Sequence, residues 1–263
     1  IAAYNSPLIT WIITVFMFLA GTNFSLLFLL LRGRLREVLH SEELRIYTII
    51  VVCATVFICL DLSAHSHLSF SQTFTDSAFQ VVTIISTTGY ATKDFALWPT
   101  TSQVVLTALM FTGACAGSTS GGIKISRVLI LIKRAGEELH KFIFPNSVTK
   151  IRLEKKILDR EVVHTTSAFL IVYVFIFAIS TLLVSAEGHD LETCFTAVAA
   201  TFNNIGPGLS VVGPTRNFGF FSDFTKYVLI FDMLAGRLEL FPMLILFSPR
   251  TWLKNPPLFR KHS

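Results

Sequence analysis

Apolar runs of two different lengths, each interrupted by short polar segments, organise this chain. The runs 8–31, 46–62, 103–132, 164–186 and 227–247 are long, whereas 79–85 and 191–202 are short. A helix needs about 20 apolar residues to cross a hydrocarbon core of about 30 Å. The stretch from Phe79 to Ile85 makes only about two turns, so the chain is expected to enter the bilayer, stop partway and return. The first such short helix is predicted from about Thr73 to Ile85, the second from Leu191 to Phe202. Each is followed by a polar loop with glycine, Ser86-Thr87-Thr88-Gly89-Tyr90-Ala91-Thr92 in one case and Asn203-Asn204-Ile205-Gly206-Pro207-Gly208 in the other. The spacings from Phe79 to Gly89 and from Phe195 to Gly206 match within one residue.

Irregular backbone at membrane depth survives only when buried in protein or lining a wet cavity. Threonine hydroxyls and successive carbonyls there are hard oxygen ligands, suited to an alkali cation that is losing its water. Glycine is expected in these loops because lining up carbonyls on one side requires dihedrals closed to other residues. Taken alone, Thr-Thr-Gly fits an ordinary exposed turn equally well. The second copy changes that balance: long helix, short helix, glycine loop, long helix, repeated, is a pore architecture.

The third long run is broken. Gly113-Ala114-Cys115-Ala116-Gly117-Ser118-Thr119-Ser120-Gly121-Gly122 lies in its middle. Four glycines at about 1 kcal/mol each would cost a helix roughly 4 kcal/mol, and Ser and Thr compete for its backbone bonds. An intramembrane loop facing water is the expectation. Small-residue helix packing is the rival reading; it explains one or two glycines but not ten small residues in succession. A phosphate-binding loop is excluded, because Ile123 separates Gly122 from Lys124. Arg237 is singular in another way, lying midway along the last run between Asp232 and Glu239. An intramembrane charge costs at least about 2.5 kcal/mol and faces a partner or a cavity. An ion pair with Asp232 or Glu239 is one reading; a positive charge below the loops that meets the glycine-rich segment is the other. Pro242 is expected to kink this helix, and Asp159 to cap the helix of the run 164–186.

Composition agrees with a membrane protein: 52% of residues are hydrophobic, only 15% are charged, and Phe occurs 25 times. The pI near 9.1 does not indicate nucleic-acid binding, because the basic residues lie between apolar spans and not on a soluble domain. Of the 22 Lys and Arg, eighteen fall in 32–45, 124–160 and 250–261, against Lys93, Arg216 and Lys226 on the opposite side. The positive-inside rule makes the three basic regions cytoplasmic and opens the glycine loops outward. Cys53, Cys59, Cys115 and Cys194 sit in apolar stretches without Cys-x-x-Cys spacing, as structural thiols. His65 and His67 suit a solvated loop better than a metal site.

Four motifs carry a family resemblance: Ser86–Thr92, Gly117-Ser118-Thr119-Ser120-Gly121-Gly122-Ile123-Lys124, Ala199-Ala200-Thr201-Phe202-Asn203-Asn204-Ile205-Gly206-Pro207-Gly208, and Gly236-Arg237-Leu238-Glu239. In this order they resemble the Trk/Ktr/HKT superfamily of potassium transporters, most closely the bacterial Trk-type membrane subunit. The resemblance implies an all-α integral membrane fold of helix–pore-loop–helix units. Residues 1–41 would then be the outer helix of a preceding repeat, 42–135 the third repeat, 136–160 a cytoplasmic linker, 161–249 the fourth repeat and 250–263 a cytoplasmic tail, with Ile1 interior to a longer chain. It implies potassium as the transported substrate, with no covalent cofactor and no enzymatic chemistry. The selectivity filter would be Thr87, Thr88, Gly89, Tyr90, Asn204, Ile205 and Gly206, with potassium at Thr87, Thr88, Asn204 and Ile205. Gly113, Gly117, Ser118, Thr119, Ser120, Gly121, Gly122 and Arg237 would form the gate. It further implies a homodimer in the inner (plasma) membrane and a cytoplasmic nucleotide-binding regulatory subunit, contacted through Lys150, Arg152, Lys155 and Lys156. A sodium-coupled or sodium-selective relative, or a non-conducting scaffold or sensor, is the alternative, and plain topology signalling is the alternative for the basic segment.

Overall fold

A computed structural model describes residues 1–4, 6–65, 69–145, 150–154, 156–238 and 240–246. The helices are α1 (Pro7–Ala20), α2 (Phe24–Leu31), α3 (Leu35–His40), α4 (Glu42–His65), α5 (Phe70–Ile85), α6 (Thr100–Phe111) and α7 (Ile125–Ile143), then α8 (Arg160–Ser185), α9 (Leu191–Phe202), α10 (Asp223–Arg237) and α11 (Leu240–Leu246). A two-stranded antiparallel hairpin, β1 (Arg152–Leu153) and β2 (Lys156–Ile157), joins α7 to α8.

Two units share one plan. In the first, α4 is the long outer helix, α5 the short buried one, and α6 with α7 the interrupted inner helix. In the second, α8, α9 and α10 with α11 repeat that order. At 24 and 26 residues, α4 and α8 are long and apolar enough to cross a membrane; at a 1.5 Å rise they reach roughly 36 Å or more. Their outer faces present Val52, Phe57, Leu60, Ile171, Phe175 and Leu182, a lipid-facing surface in a protein of this composition. The short helices are the reverse, buried over most of their length beyond the first turn. Phe79, Val81, Ile84 and Ile85 of α5 and Cys194, Ala197, Val198, Ala199 and Ala200 of α9 are fully buried. Both start with side-chain caps: Ser69 accepts from Gln72 N, and Asp190 accepts from Thr193 N at 2.9 Å.

Four expectations need correction. The run 8–31 is not one continuous helix: α1 and α2 meet at 108° across Gly21-Thr22-Asn23. Asn23 caps α2 through Ser25 N at 2.8 Å, and a Cβ at Gly21 would collide with the Tyr47 hydroxyl and lie 3.2 Å from Ala114 Cβ. The last run breaks after Arg237, not at Pro242. Pro242 sits in the first turn of α11, where its missing N–H has no intrahelical partner to lose. Asp159 stands at the N-cap of α8 but makes no side-chain capping bond. The segment 136–160 is not merely a linker, since α7 continues to Ile143 and the hairpin follows. His67, Lys155, Glu239 and the basic tail 250–263 lie outside the described residues.

Glycines at close contacts generate a paired prediction. A Cβ on Gly236 would run into the Phe202 carbonyl at the end of α9, whereas Gly136, on α7, has nothing within 4 Å. Gly236→Ala is therefore expected to destabilise the fold by about 1–3 kcal/mol, and Gly136→Ala to leave it unchanged or stabilise it by up to about 1 kcal/mol. Melting of the two variants in detergent measures both; equal shifts would show that α10 does not pack on α9 this closely.

Candidate ion-conducting site

The two short helices end alike. After α5, Thr87 N donates to Ile84 O at 3.0 Å and Thr88 N to Thr83 O at 2.9 Å; after α9, Asn204 N donates to Thr201 O at 3.0 Å and Ile205 N to Ala200 O at 2.8 Å. Each pair is the two-bond Schellman closure, with the residue after the C-cap in the left-handed region. That residue is not glycine in either loop. Thr87 has φ 54° and Asn204 has φ 58°, and the glycines come two residues later, Gly89 at φ 79° and Gly206 at φ 112°. A left-handed threonine costs roughly 1–2 kcal/mol, so the surrounding contacts must hold it.

Those contacts are specific. The Ser86 and Thr88 hydroxyls share a bond of 2.8 Å. Asn203, wholly buried, accepts from Tyr173 OH at 2.7 Å and donates from Nδ2 to Ala199 O at 2.9 Å. Asn204 Nδ2 donates to Met233 O on α10 at 3.2 Å. The two loops also touch each other, because a Cβ on Gly89 would collide with the Ile205 carbonyl oxygen. Gly206 has open space around it.

The glycine-rich segment lies against the inner ends of both loops. Gly121 N donates to Thr87 Oγ1 at 2.8 Å, and a Cβ on Gly121 would strike the Asn203 carbonyl. Thr112 and Ile123 pair as an isolated parallel bridge that closes the loop's neck. Cys115 N donates to Gly21 O at 3.0 Å, and Thr119 N to Ala20 O at 3.4 Å. The break between α1 and α2 thus frees carbonyls that accept from the loop. Lys124 Nζ donates to the Ser120 carbonyl and, at 3.1 Å, to Ser120 Oγ. Arg237 Nη1 donates to the Thr119 carbonyl at 2.7 Å. Of the alternative partners for Arg237, Asp232 is fully buried and engaged by Ser180 Oγ at 2.7 Å. A cavity of about 270 Å³ beside the loop is lined by Lys124, Arg127 and Arg237 together with Phe169 and Tyr173. Arg127 stacks on Phe169 at 4.2 Å.

This arrangement of paired pore loops and a loop beneath them has close counterparts. The family model TrkH, a cation transport protein, matches residues 37–254. The chain belongs to the TrkH family. It is 37% identical over 258 residues to the Trk system potassium uptake protein TrkH of Escherichia coli strain K12, covering 96% of this chain and 52% of that protein. It is 30% identical to TrkG of the same strain, over 96% of this chain and 52% of that one. The crystal structure of the potassium transporter TrkH from Vibrio parahaemolyticus superposes with a TM-score of 0.88 at 36% identity, over 96% of this chain and 55% of that one. The chain therefore spans about half the length of the TrkH proteins it matches. As a TrkH-family chain with apolar helices long enough to span, it is a multi-pass protein of the inner membrane.

Of the residues singled out from sequence, Thr87, Thr88, Gly89, Ile205 and Gly121 come together, with Arg237 reaching the same loop at Thr119. Tyr90 is half-exposed at the edge. Lys150, Arg152 and Lys156 are exposed on or beside the hairpin. Sequence reasoning missed Tyr173, Asn203 and Lys124 as supports. Lys124 and Asn203 lay inside motifs already noted, whereas Tyr173 gave no signal beyond a hydroxyl in an apolar span. Tyr173→Phe should leave the buried Asn203 oxygen without its donor, at about 1–3 kcal/mol. A melt of the variant measures that loss; a wild-type melting temperature would mean that the bond contributes nothing.

Proposed function

We propose that this chain takes part in potassium uptake across the inner membrane. Its two loops would supply part of a selectivity filter, and the segment Gly113 to Gly122 would act as a gate. The observation that supports the reading best is the matched pair of loop closures at Thr87–Thr88 and Asn204–Ile205, each followed by a left-handed glycine. The names of its relatives, potassium uptake proteins of a Trk system, give the cation.

In this reading the carbonyls of Thr87, Thr88, Asn204 and Ile205 replace hydration water around potassium, with Gly89, Tyr90 and Gly206 completing the loops. The C-terminal ends of α5 and α9 add about half a negative charge each toward the cation. No bond is made or broken. On the inner side, Gly113, Gly117, Ser118, Thr119, Ser120, Gly121 and Gly122 stand in the ion's path. Arg237 anchors the loop and repels a cation from below; its guanidinium stays charged at any working pH. A hydrogen bond from a charged group is worth about 1.5–3 kcal/mol, enough to bias a loop between two positions. A homodimer, and a cytoplasmic nucleotide-binding regulator engaging Lys150, Arg152 and Lys156 of the exposed basic surface, complete the proposal. Lys155 belongs to the same stretch of sequence.

Gly89→Ala in the full-length protein is expected to lower potassium-over-sodium selectivity or abolish uptake, because its Cβ meets the opposite loop. Gly206→Ala should do so through its left-handed backbone alone. Ion-flux assays that find normal selectivity and rate in both variants would remove these loops from the pore. Equal sodium and potassium flux in the wild type would favour the sodium-transporting alternative.

Arg237→Ala, or deletion of Ser118 to Ser120, is expected to raise potassium flux into vesicles severalfold at matched protein level, on the order of what one charge-assisted bond controls. If both variants fold and keep selectivity, yet flux stays at the wild-type value, the loop is packing and not a gate.

A further inference from the structure

Two adjacent carboxylates at the start of α4 serve different parts of the molecule. Glu43 Oε1 accepts from Ala116 N, inside the glycine-rich loop, at 2.6 Å, and from Ser126 N, in the first turn of α7, at 3.1 Å. Glu43 is only 6% exposed. The N-cap residue of α7, Lys124, makes no side-chain capping bond, so a carboxylate from another helix performs that task. The positive end of the helix favours it there. One oxygen atom thus holds the chain just before and just after Gly117–Lys124.

Glu42 is turned away from Glu43 by roughly 100° on the helix, and it reads the cytoplasmic side. Its Oε1 accepts from Lys133 Nζ, and its Oε2 from Glu154 N at 3.3 Å. Lys133 Nζ donates onward to Arg152 O at 2.7 Å, and Ser41 Oγ donates to Glu154 Oε1 at 2.6 Å. Glu154, left-handed at φ 51°, follows β1 in the turn of the hairpin. One helical turn therefore grips the hairpin with Ser41 and Glu42 and the loop with Glu43.

We propose that this turn, Ser41–Glu43, is the link through which the hairpin sets the position of the intramembrane loop. Glu43 is the positioning residue for the loop, and Glu42 with Lys133 the handle on the hairpin. The proposal rests on the reading of Gly113 to Gly122 as a gate. The two joints differ in strength in the direction such a link requires. The Lys133–Glu42 pair is about one-third exposed on both sides, so an arriving charge or salt readily competes with it. The Glu43 joint is buried and moves only with its helix. A partner that binds the hairpin through Arg152 and Lys156 displaces Glu154 and Lys133. The first turn of α4 then shifts, and Glu43 withdraws from Ala116 and Ser126.

Hydrogen exchange of the full-length protein in lipid nanodiscs tests this without needing the partner. Glu42→Ala combined with Lys133→Ala lies outside the pore. It is expected to speed exchange of peptides covering 112–126, while peptides from α9 keep the wild-type rate. Glu43→Ala should speed the same peptides by about tenfold, the effect of one lost charge-assisted bond. Glu43→Gln keeps the acceptor oxygen and should fall between. If the double variant leaves exchange at 112–126 unchanged while Glu43→Ala raises it, the hairpin is not linked to the loop. If Glu43→Ala and Glu43→Gln both leave it unchanged, Glu43 does not position the loop. Should Glu43→Ala fail to fold, Glu43→Gln and the double variant decide. Potassium flux, with Arg237→Ala as reference, separates this link from the gate itself. Faster exchange in the linked variants with unaltered flux in all of them, Arg237→Ala included, would sink the gate and leave the link standing.

Discussion

Backbone polar groups have no water to bond inside a hydrocarbon layer, and that constraint governs this molecule. Thirteen residues of non-helical chain, from Thr112 to Lys124, separate α6 from α7. Their amides must find partners in protein. Among these bonds are Gly113 N on Ile123 O, Cys115 N on Gly21 O, Ala116 N on Glu43, and Gly121 N on Thr87 Oγ1. Each partner comes from a different element, so the loop ties α1, α4, α5 and its own neck together. The sharp turn between α1 and α2, the buried carboxylate on α4 and the left-handed threonine after α5 are all answers to the same requirement.

The two repeats meet this constraint unequally. In the first, a long glycine-rich loop interrupts the inner helix; in the second, α10 ends on Arg237 before α11 begins. The loop of one unit and the cation of the other meet at the Thr119 carbonyl. The loops after α5 and α9 differ in a parallel way. Thr87 offers its hydroxyl downward to Gly121, whereas Asn204 turns its side chain outward to Met233. A symmetric backbone closure thus carries asymmetric side-chain work.

Much of this was legible in the sequence, for a physical reason. Short apolar runs that end in polar glycine loops cannot be spans, so Phe79–Ile85 and Leu191–Phe202 declared the pore helices, the second to the residue. Ten small residues in succession could not remain helical, and they do not. The break at Gly21–Asn23 was hidden because the hydrophobic run passes through it unchanged, and its cause, the loop amides at Cys115 and Thr119, lies about a hundred residues away in sequence. Glu43 was hidden for the same reason, since a carboxylate in the first turn of a span is ordinary until its partners are known. The glycines misled in one respect. They were expected to supply the dihedrals closed to other residues, yet Thr87 and Asn204 make the first left-handed step; Gly89 follows where the two loops approach closely, and Gly206 follows in open space.

The carbonyls at Ala20 and Gly21 carry a consequence of their own. They lie at the break between two helices, and amides of the loop satisfy them. If that loop retreats, both oxygens lose their donors at once, and only incoming solvent can replace them. Displacement of the loop and wetting of the space it leaves are then a single event, in which the molecule takes up water. The balance between the two arrangements becomes a function of water activity: an excluded osmolyte that dries the interior would hold the loop in place without touching it.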